Sequence, residues 1–183
     1  MYSFFKYAAI ILGLAVPLIG AEEESSGSPF VPDEVSFRFG FSATNVDYRF
    51  REYRVGTDWN FTLPETWTGN WLVVPQIDLS AGCLTSKGGH AAFVTSVGPA
   101  LTIGYKDFPI VLEASCCPTF ISLHDFGGID MGSSFQFTSN IGLRWYITPD
   151  FGIGYRFQHM SNGGVTDINP GMELHVVSVS WRF

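Results

Sequence analysis

The C-terminal part of the chain contains the residues whose types and spacing could do chemistry. His159 and Ser161 are two positions apart, and Glu173 follows within the same stretch. Serine, histidine and a carboxylate are the parts of an activated-nucleophile site. The histidine takes the serine proton, and the carboxylate holds the imidazole in the right tautomer. These residues therefore predict a serine nucleophile with its own base.

Two other interpretations of the same cluster stay open from residue types alone. The polar side chains could form a rim where a strand leaves a membrane and a loop of Ser, Asn and Gly begins. Alternatively, His159, Glu173 and His175 could supply three metal ligands, the number that catalytic zinc sites take from the protein.

The elements that must position these residues are indicated by alternation along the chain. Successive side chains of a strand point to opposite faces, so apolar residues at every second position predict a strand with one apolar face. Eight such runs begin near Val35, Tyr53, Trp71, Phe93, Ile110, Phe135, Phe151 and Met172. The pattern predicts an all-β fold, an eight-stranded antiparallel transmembrane β-barrel. A soluble barrel of the lipocalin kind would instead have its apolar face inside.

The alternation also predicts the direction of individual side chains. Outward, towards lipid, we expect Phe39, Trp59, Ile77, Phe137 and Val179, and inward we expect Arg38, Asp78, Gln136 and Arg144. In the last two strands, the alternate positions that carry the apolar side chains are occupied further along by polar residues. These are His159 and Ser161 on one strand and Glu173 and His175 on the other. The candidate site is therefore predicted on the lipid-facing side. The short links 105–109 and 148–150 are predicted to be periplasmic turns, and the longer links extracellular loops.

The N-terminal residues are predicted to lie outside the barrel. Residues 1–21 have the apolar run and the small residue, Ala21, of a secretory signal peptide, although a membrane anchor is the alternative. Residues 22–33 are acidic and rich in Ser, Gly and Pro, which predicts a flexible lead-in, and residues 34–183 are predicted to form the barrel. The terminal Phe183 is similar to the aromatic end of bacterial outer-membrane proteins, which predicts the outer membrane of a Gram-negative cell.

Charge and cysteine content exclude other classes. The net charge is −7 and Lys and Arg are scattered, which argues against nucleic-acid binding, because phosphates require clustered basic residues. Cys83, Cys116 and Cys117 form no CxxC pair or metal-ligand spacing. We expect at most one disulfide, with the partner of Cys83 open between Cys116 and Cys117, and no catalytic thiol.

The order of residues around the candidate site resembles one family. His159-Met160-Ser161-Asn162-Gly163-Gly164, followed by Asn169, Gly171 and Glu173, is similar to the lipid A 3-O-deacylases of Gram-negative outer membranes. The resemblance covers the last two strands residue by residue and the earlier strands in pattern. It implies an eight-stranded barrel that hydrolyses the ester-linked 3-position acyl chain of lipid A or lipopolysaccharide, without metal or other cofactor.

The resemblance also implies a role for each residue. Ser161 would be the nucleophile, His159 the general base and later acid, and Glu173 the orienting carboxylate. Asn162, Gly164 and Asn169 stand at positions associated with the oxyanion region of the family.

Two alternative functions remain at this point. The outer-membrane phospholipase A family has a similar His-x-Ser-Asn-Gly motif, but with Asn in place of Glu173, a larger barrel, calcium dependence and dimerisation. A non-catalytic structural barrel is the other alternative. The sequence leaves the oligomeric state open.

Overall fold

Eight antiparallel strands follow one another along the chain and close into a barrel, so the predicted fold is confirmed. The computed structural model describes residues 31–44, 47–126 and 128–183. Each strand pairs with the next, and β1 pairs with β8, where Phe39 lies opposite Val177. The strands are β1 (Glu34–Ser42), β2 (Arg51–Asn60), β3 (Trp71–Thr85), β4 (Ala91–Tyr105), β5 (Ile110–Ile121), β6 (Phe135–Tyr146), β7 (Phe151–Ser161) and β8 (Met172–Arg182).

One short helix, α1 (Glu65–Thr68), lies in the link between β2 and β3 and was not expected from the alternating pattern. Within the described ranges, no helix has the length and apolar character needed to cross a membrane. The predicted signal peptide at 1–21 and most of the lead-in at 22–33 lie outside the described residues.

Strand direction decides at which end of the barrel each link lies. Because consecutive strands are antiparallel, the links 61–70, 106–109 and 147–150 share one end, which we call the turn end. The links 43–50, 86–90, 122–134 and 162–171 share the other, the loop end. The prediction that longer links would lie opposite the short turns is therefore wrong for 61–70. This ten-residue link contains α1 but joins two strands at the turn end.

The predicted faces of the barrel are confirmed by side-chain burial. Phe39, Ile77 and Val179 are exposed on the outer surface, and Trp59 and Phe137 are partly exposed. The inward-facing polar side chains that were predicted, Arg38, Asp78, Gln136 and Arg144, are all buried. The interior charges pair with one another across strands. The Arg38 guanidinium lies 2.7 Å from Asp78, and the Arg144 guanidinium lies 2.5 Å from Glu113. Buried charges persist only when they are paired in this way.

The polar-interior prediction is wrong at the loop end, where the barrel is filled by an apolar core. Inward side chains of the strands, including Leu84, Val94 and Met160, meet side chains of the link 122–134, including Phe126 and Met131. These residues are almost completely buried. The loop end is thus closed by hydrophobic packing, and most interior ion pairs lie nearer the turn end, although the Glu52–Arg54 pair reaches the level of Leu84.

All three cysteines of the chain are described and have free thiols. Cys83 lies on β3 and the other two lie on β5, with β4 between them. Two strand spacings amount to roughly 9.5 Å, which exceeds the Cα separation that a disulfide can bridge. The barrel therefore provides no geometry for a bond from Cys83 to Cys116 or Cys117.

Candidate active site

The candidate site lies on the outer face at the loop end, where β7 finishes and β8 begins. His159 and Ser161 are the outward residues at the end of β7, and Glu173 is the first outward residue of β8. Their neighbours Met160 and Met172 point inward and have no exposed surface. Alternation thus places the polar residues outside because the methionines are anchored in the apolar core.

His159 and Glu173 are brought together by strand pairing. The two residues are directly opposite each other in the β7–β8 register, and the His159 Nδ1 atom lies 3.1 Å from Glu173 Oε1. Both side chains are largely covered, with 23% and 19% of their surfaces exposed. A carboxylate that accepts a hydrogen bond from Nδ1–H makes Nε2 the basic nitrogen of the neutral ring. This is the tautomer needed to take a proton from a serine.

Glu173 is also held from the link that follows β1, through a contact that the sequence did not predict. The Thr44 hydroxyl donates a hydrogen bond to Glu173 Oε2, and the Ala43 N–H donates to the Glu173 carbonyl at 2.9 Å. Thr44 is 129 positions away in sequence. Only the closure of the barrel, which puts β1 beside β8, brings it to the site. The carboxylate is therefore fixed at both of its oxygens.

A glycine packs directly against the His159 ring. Gly171 has a positive φ of 70°, and a Cβ atom there would lie 3.1 Å from His159 Cε1. A side chain at this position would combine left-handed backbone strain with pressure on the imidazole. The glycine lets the chain enter β8 without displacing the ring.

Two serines flank His159 on the outer face. Ser161 follows on the same strand and is only 9% exposed. Ser139 lies directly opposite His159 on β6, and its hydroxyl donates to the Cys116 thiol at 3.4 Å. Ser139 was not among the predicted site residues, although the register places it in the same outward row. The roles of Ser161 and Ser139 can be distinguished by mutating each serine alone.

Asn162 organises the link 162–171 from a completely buried position. Its Nδ2 group lies 2.7 Å from both Thr166 Oγ1 and the Ile168 carbonyl, and its Oδ1 accepts the Gly164 N–H at 2.9 Å. Its own N–H donates to Asn169 Oδ1 at 3.1 Å. The structure thus brings the three predicted oxyanion residues into one loop beside Ser161. The backbone N–H groups of Asn162 and Gly164 are therefore already used in hydrogen bonds within the loop.

The link 122–134 supports this loop from the barrel interior. The Met131 carbonyl accepts from Asn162 Nδ2 at 3.2 Å, and the Gly132 carbonyl accepts from Thr166 Oγ1 at 3.3 Å. Asp130 Oδ1 fixes the preceding turn by accepting the Gly132 N–H at 2.7 Å. Hydrogen bonds from the His124 imidazole and from this N–H hold the pKa of the Asp130 carboxyl below its usual range. His124 and His90 both lie in links between strands.

An apolar groove of about 680 Å³ lies on the outer face, on the turn-end side of the site. Its walls include Phe39, Leu143, Trp145, Ile153, Tyr155 and Val177. Such a surface accepts hydrocarbon rather than a polar ligand. Between the groove and Glu173, the Tyr155 hydroxyl lies 2.7 Å from His175 Nδ1.

Metal binding by the same residues has no support from their geometry. Among the residues that the structure describes, no group of three or more His, Cys, Asp or Glu side chains is placed to hold an ion. His175, the third predicted ligand, directs its Nδ1 to Tyr155. The arrangement can instead do acyl-transfer chemistry, with a serine, a base and an orienting carboxylate beside an apolar groove.

Comparison with known proteins gives a family match over most of the barrel. The family described as "Lipid A 3-O-deacylase (PagL)" matches residues 51–182. A curated relative, the lipid A deacylase PagL of Bordetella bronchiseptica, is 36% identical over 72 residues. This alignment covers 39% of the chain and 40% of the relative, so the chain spans about two fifths of the relative's length.

Solved structures match the fold of the whole barrel. The crystal structure of the outer membrane enzyme PagL aligns with a TM-score of 0.69 and 21% identity, covering 82% of this chain and 99% of that one. A de novo designed transmembrane β-barrel aligns with a TM-score of 0.53 and 10% identity, covering 84% and 98%. At these identities the likeness concerns the fold, which is that of a transmembrane barrel.

Proposed function

The chain belongs to the lipid A 3-O-deacylase family, and we propose that it is an outer-membrane esterase that removes the ester-linked 3-position acyl chain of lipid A. The observation that carries this proposal is the His159–Glu173 pair on the outer, lipid-facing surface. Polar and ionisable groups facing hydrocarbon are costly, so such a pair indicates function. Its position suits a substrate that is itself part of the membrane.

The mechanism assigns one task to each side chain. His159 Nε2 takes the Ser161 proton while Ser161 Oγ attacks the ester carbonyl, and Glu173 stabilises the imidazolium that forms. His159 then gives the proton to the departing sugar oxygen, which leaves an acyl-enzyme. Water, deprotonated by the same histidine, releases the 3-hydroxy fatty acid and restores the serine. No metal is required for any of these steps.

The loop 162–171 supplies the oxyanion donors in this proposal. Asn162, Gly164 and Asn169 build the loop, and the Asn162 N–H fixes Asn169 by its Oδ1 atom. With its oxygen held in this way, Asn169 keeps its Nδ2 group as the donor that we assign to a developing oxyanion. Preorganised donors stabilise the charge that appears on the carbonyl oxygen in the transition state.

The apolar groove gives the acyl chain its place. With the ester at Ser161, the sugar lies towards the loop end and the hydrocarbon tail lies along the groove towards the turn end. Burial of the tail supplies binding energy of about 0.8 kcal/mol per CH₂ group. The substrate thus keeps the orientation that it has in the membrane.

A phospholipase-like activity is the alternative from the same chemical class. Glu173 stands where that family has Asn, and this barrel has eight strands. Both features favour the deacylase.

The test is release of 3-hydroxy fatty acid from lipid A by the purified protein in detergent micelles with a chelator present. Ser161→Ala and His159→Ala should each lower turnover by about 10³-fold or more, and the double variant should lose little beyond that. Ser139→Ala is the matched control, because this serine also adjoins His159, and it should keep most of the activity.

The possible results separate the candidate functions. Activity that survives Ser161→Ala but is lost in Ser139→Ala would make Ser139 the nucleophile. A lysophospholipid product that depends on calcium would support the phospholipase. A folded wild-type barrel that releases nothing from either lipid would support a structural role.

A further inference from the structure

We propose that Thr44 is a positioning residue of the reaction, whose hydroxyl fixes the Glu173 carboxylate so that Glu173 can hold His159 in the tautomer that Ser161 needs. The proposal rests on the deacylase function proposed above and adds a fourth side chain to the three that the mechanism uses. It depends on the hydrogen bonds at Glu173 and on the path of the chain where β1 ends.

The two oxygens of the Glu173 carboxylate have different partners. Oε1 lies 3.1 Å from His159 Nδ1, and Oε2 accepts a hydrogen bond from the Thr44 hydroxyl. A glutamate side chain has several rotatable bonds, and its conformational entropy opposes a single fixed geometry. The second hydrogen bond therefore keeps Oε1 directed at the imidazole while the substrate binds.

The chemistry of this hydrogen bond makes it a strong one. A hydrogen bond from a hydroxyl to an ionised carboxylate is about twice as strong as one between neutral groups. Thr44 is itself exposed, but the Glu173 side chain is only 19% exposed, which limits the competition of water for its oxygens. Loss of the Thr44 hydroxyl would thus leave the carboxylate free to turn away from His159.

The chain is bent so that Thr44 reaches the outer face. On β1, Arg38 and Gly40 lie on the inner face, so strict alternation would direct Thr44 inward as well. The chain instead bends at Ala43 and Thr44 as it leaves the strand. The Ala43 N–H still donates to the Glu173 carbonyl at 2.9 Å, which holds the bend beside β8. The bend therefore presents the Thr44 hydroxyl to the carboxylate.

A purely structural tie between β1 and β8 fits these contacts less well. The two strands already pair in register from Glu34 to Ser42. One further bond at the end of this ladder adds little to its stability. A tie could also end on any acceptor of β8, whereas the Thr44 hydroxyl is bonded to the carboxylate that also bonds His159.

The experiment measures 3-hydroxy fatty acid release from lipid A in detergent micelles by Thr44→Val and Thr44→Ser. Valine keeps the branched shape and removes the hydroxyl, so kcat should fall by about tenfold, the lower range for one hydrogen bond to a charged group. KM should change by less than about twofold, because Thr44 acts through Glu173 rather than on the substrate. Serine keeps the hydroxyl and should restore kcat to within about threefold of wild type.

A Glu173→Ala background separates positioning from support of the fold. The carboxylate orients the imidazole and does not carry the proton, so Glu173→Ala protein should keep residual turnover. In that background Thr44→Val should have no further effect, because residues that act as a unit are not additive. A loss caused by a distorted link would persist without the carboxylate.

Thr57→Val is the matched control, because Thr57 lies towards the turn end of β2 and its hydroxyl donates to the Leu79 carbonyl at 3.4 Å. It should leave kcat and KM unchanged, and mobility on unheated gels should show that every variant is folded. If folded Thr44→Val protein keeps the wild-type kcat, if serine fails to restore it, or if valine costs as much without Glu173 as with it, the positioning role is overturned while the esterase stands. If wild type releases no fatty acid, the proposed function fails and the positioning role falls with it.

Discussion

Replacing Gly132 with alanine should disable the active site while leaving the barrel folded. Gly132 lies in the link 122–134 with a φ of 77°, a conformation that favours glycine. A Cβ atom there would lie 1.9 Å from the Ile168 carbonyl oxygen and 2.5 Å from Thr166 Oγ1. Both atoms belong to the loop that follows Ser161, the proposed nucleophile. The methyl group would therefore push that loop away from its support.

The size of the effect follows from these contacts. Relief of the clash requires a movement of about 1 Å, since Cβ atoms essentially never approach within 3.0 Å of other heavy atoms. The movement breaks the bonds from Asn162 to the Met131 carbonyl and from Thr166 to the Gly132 carbonyl, at about 0.5–1.5 kcal/mol each. A 1 Å misplacement of groups around a reacting centre costs about 100-fold in rate. We therefore expect kcat to fall by about that factor.

The assay is 3-hydroxy fatty acid release, with the change in gel mobility on heating as the measure of folding. Gly89→Ala is the matched control, because Gly89 has a φ of 86° in another loop-end link and a Cβ atom there meets nothing within 4 Å. It should lose less than threefold. If folded Gly132→Ala protein turns over as fast as Gly89→Ala protein, the link 122–134 does not position the site and the reasoning is refuted.

Three further outcomes test the barrel itself. Ile77→Lys should destabilise folding into lipid vesicles by about 2–4 kcal/mol in urea titrations, and Gln76→Lys by less, because only the first charge faces lipid. Arg144→Met should destabilise the barrel by about 3 kcal/mol in the same titration, the low end for a broken buried pair, since Glu34 and Glu113 lose one cation and keep Arg182 and Arg156. The hydrogen bond from His124 lowers the pKa of the Asp130 carboxyl in the folded protein below its unfolded-state pKa near 3.9. The ionised carboxylate therefore helps to order the link 122–134 above that pH, and this contribution is lost as the pH falls through the folded-state pKa. Pepsin should therefore cleave 122–134 progressively faster below about pH 4, and Asp130→Asn should remove that dependence.

The parts of the fold that depend on the period of a strand were predictable from the sequence. Phe39 and Arg38, for example, are neighbours whose opposite directions follow from the pleat alone. The apolar core at the loop end could not be predicted in this way. At Leu84, Val94 and Met160 an apolar residue points inward, where the pattern of the other strands led us to expect a polar one.

The candidate site was predictable where its residues are close in sequence. His159 and Ser161 share a strand face, and Glu173 comes opposite His159 because the link between β7 and β8 sets the register. Thr44 and Gly132 were missed because their roles arise from contacts between distant segments. Neither position has a feature in the sequence that separates it from other loop residues.

The apolar core at the loop end explains why a polar site can persist on a lipid-facing surface. Met160 lies between His159 and Ser161, and Met172 precedes Glu173, and both methionines are fully buried. Each contributes about 1.5–3 kcal/mol through burial. A one-residue slip of β8 would turn Met172 outward and Glu173 inward, and the same slip of β7 would turn Met160 outward and His159 and Ser161 inward. The two buried methionines therefore help to set the register that holds His159 opposite Glu173, and a change that weakens them should loosen the site before it opens the barrel.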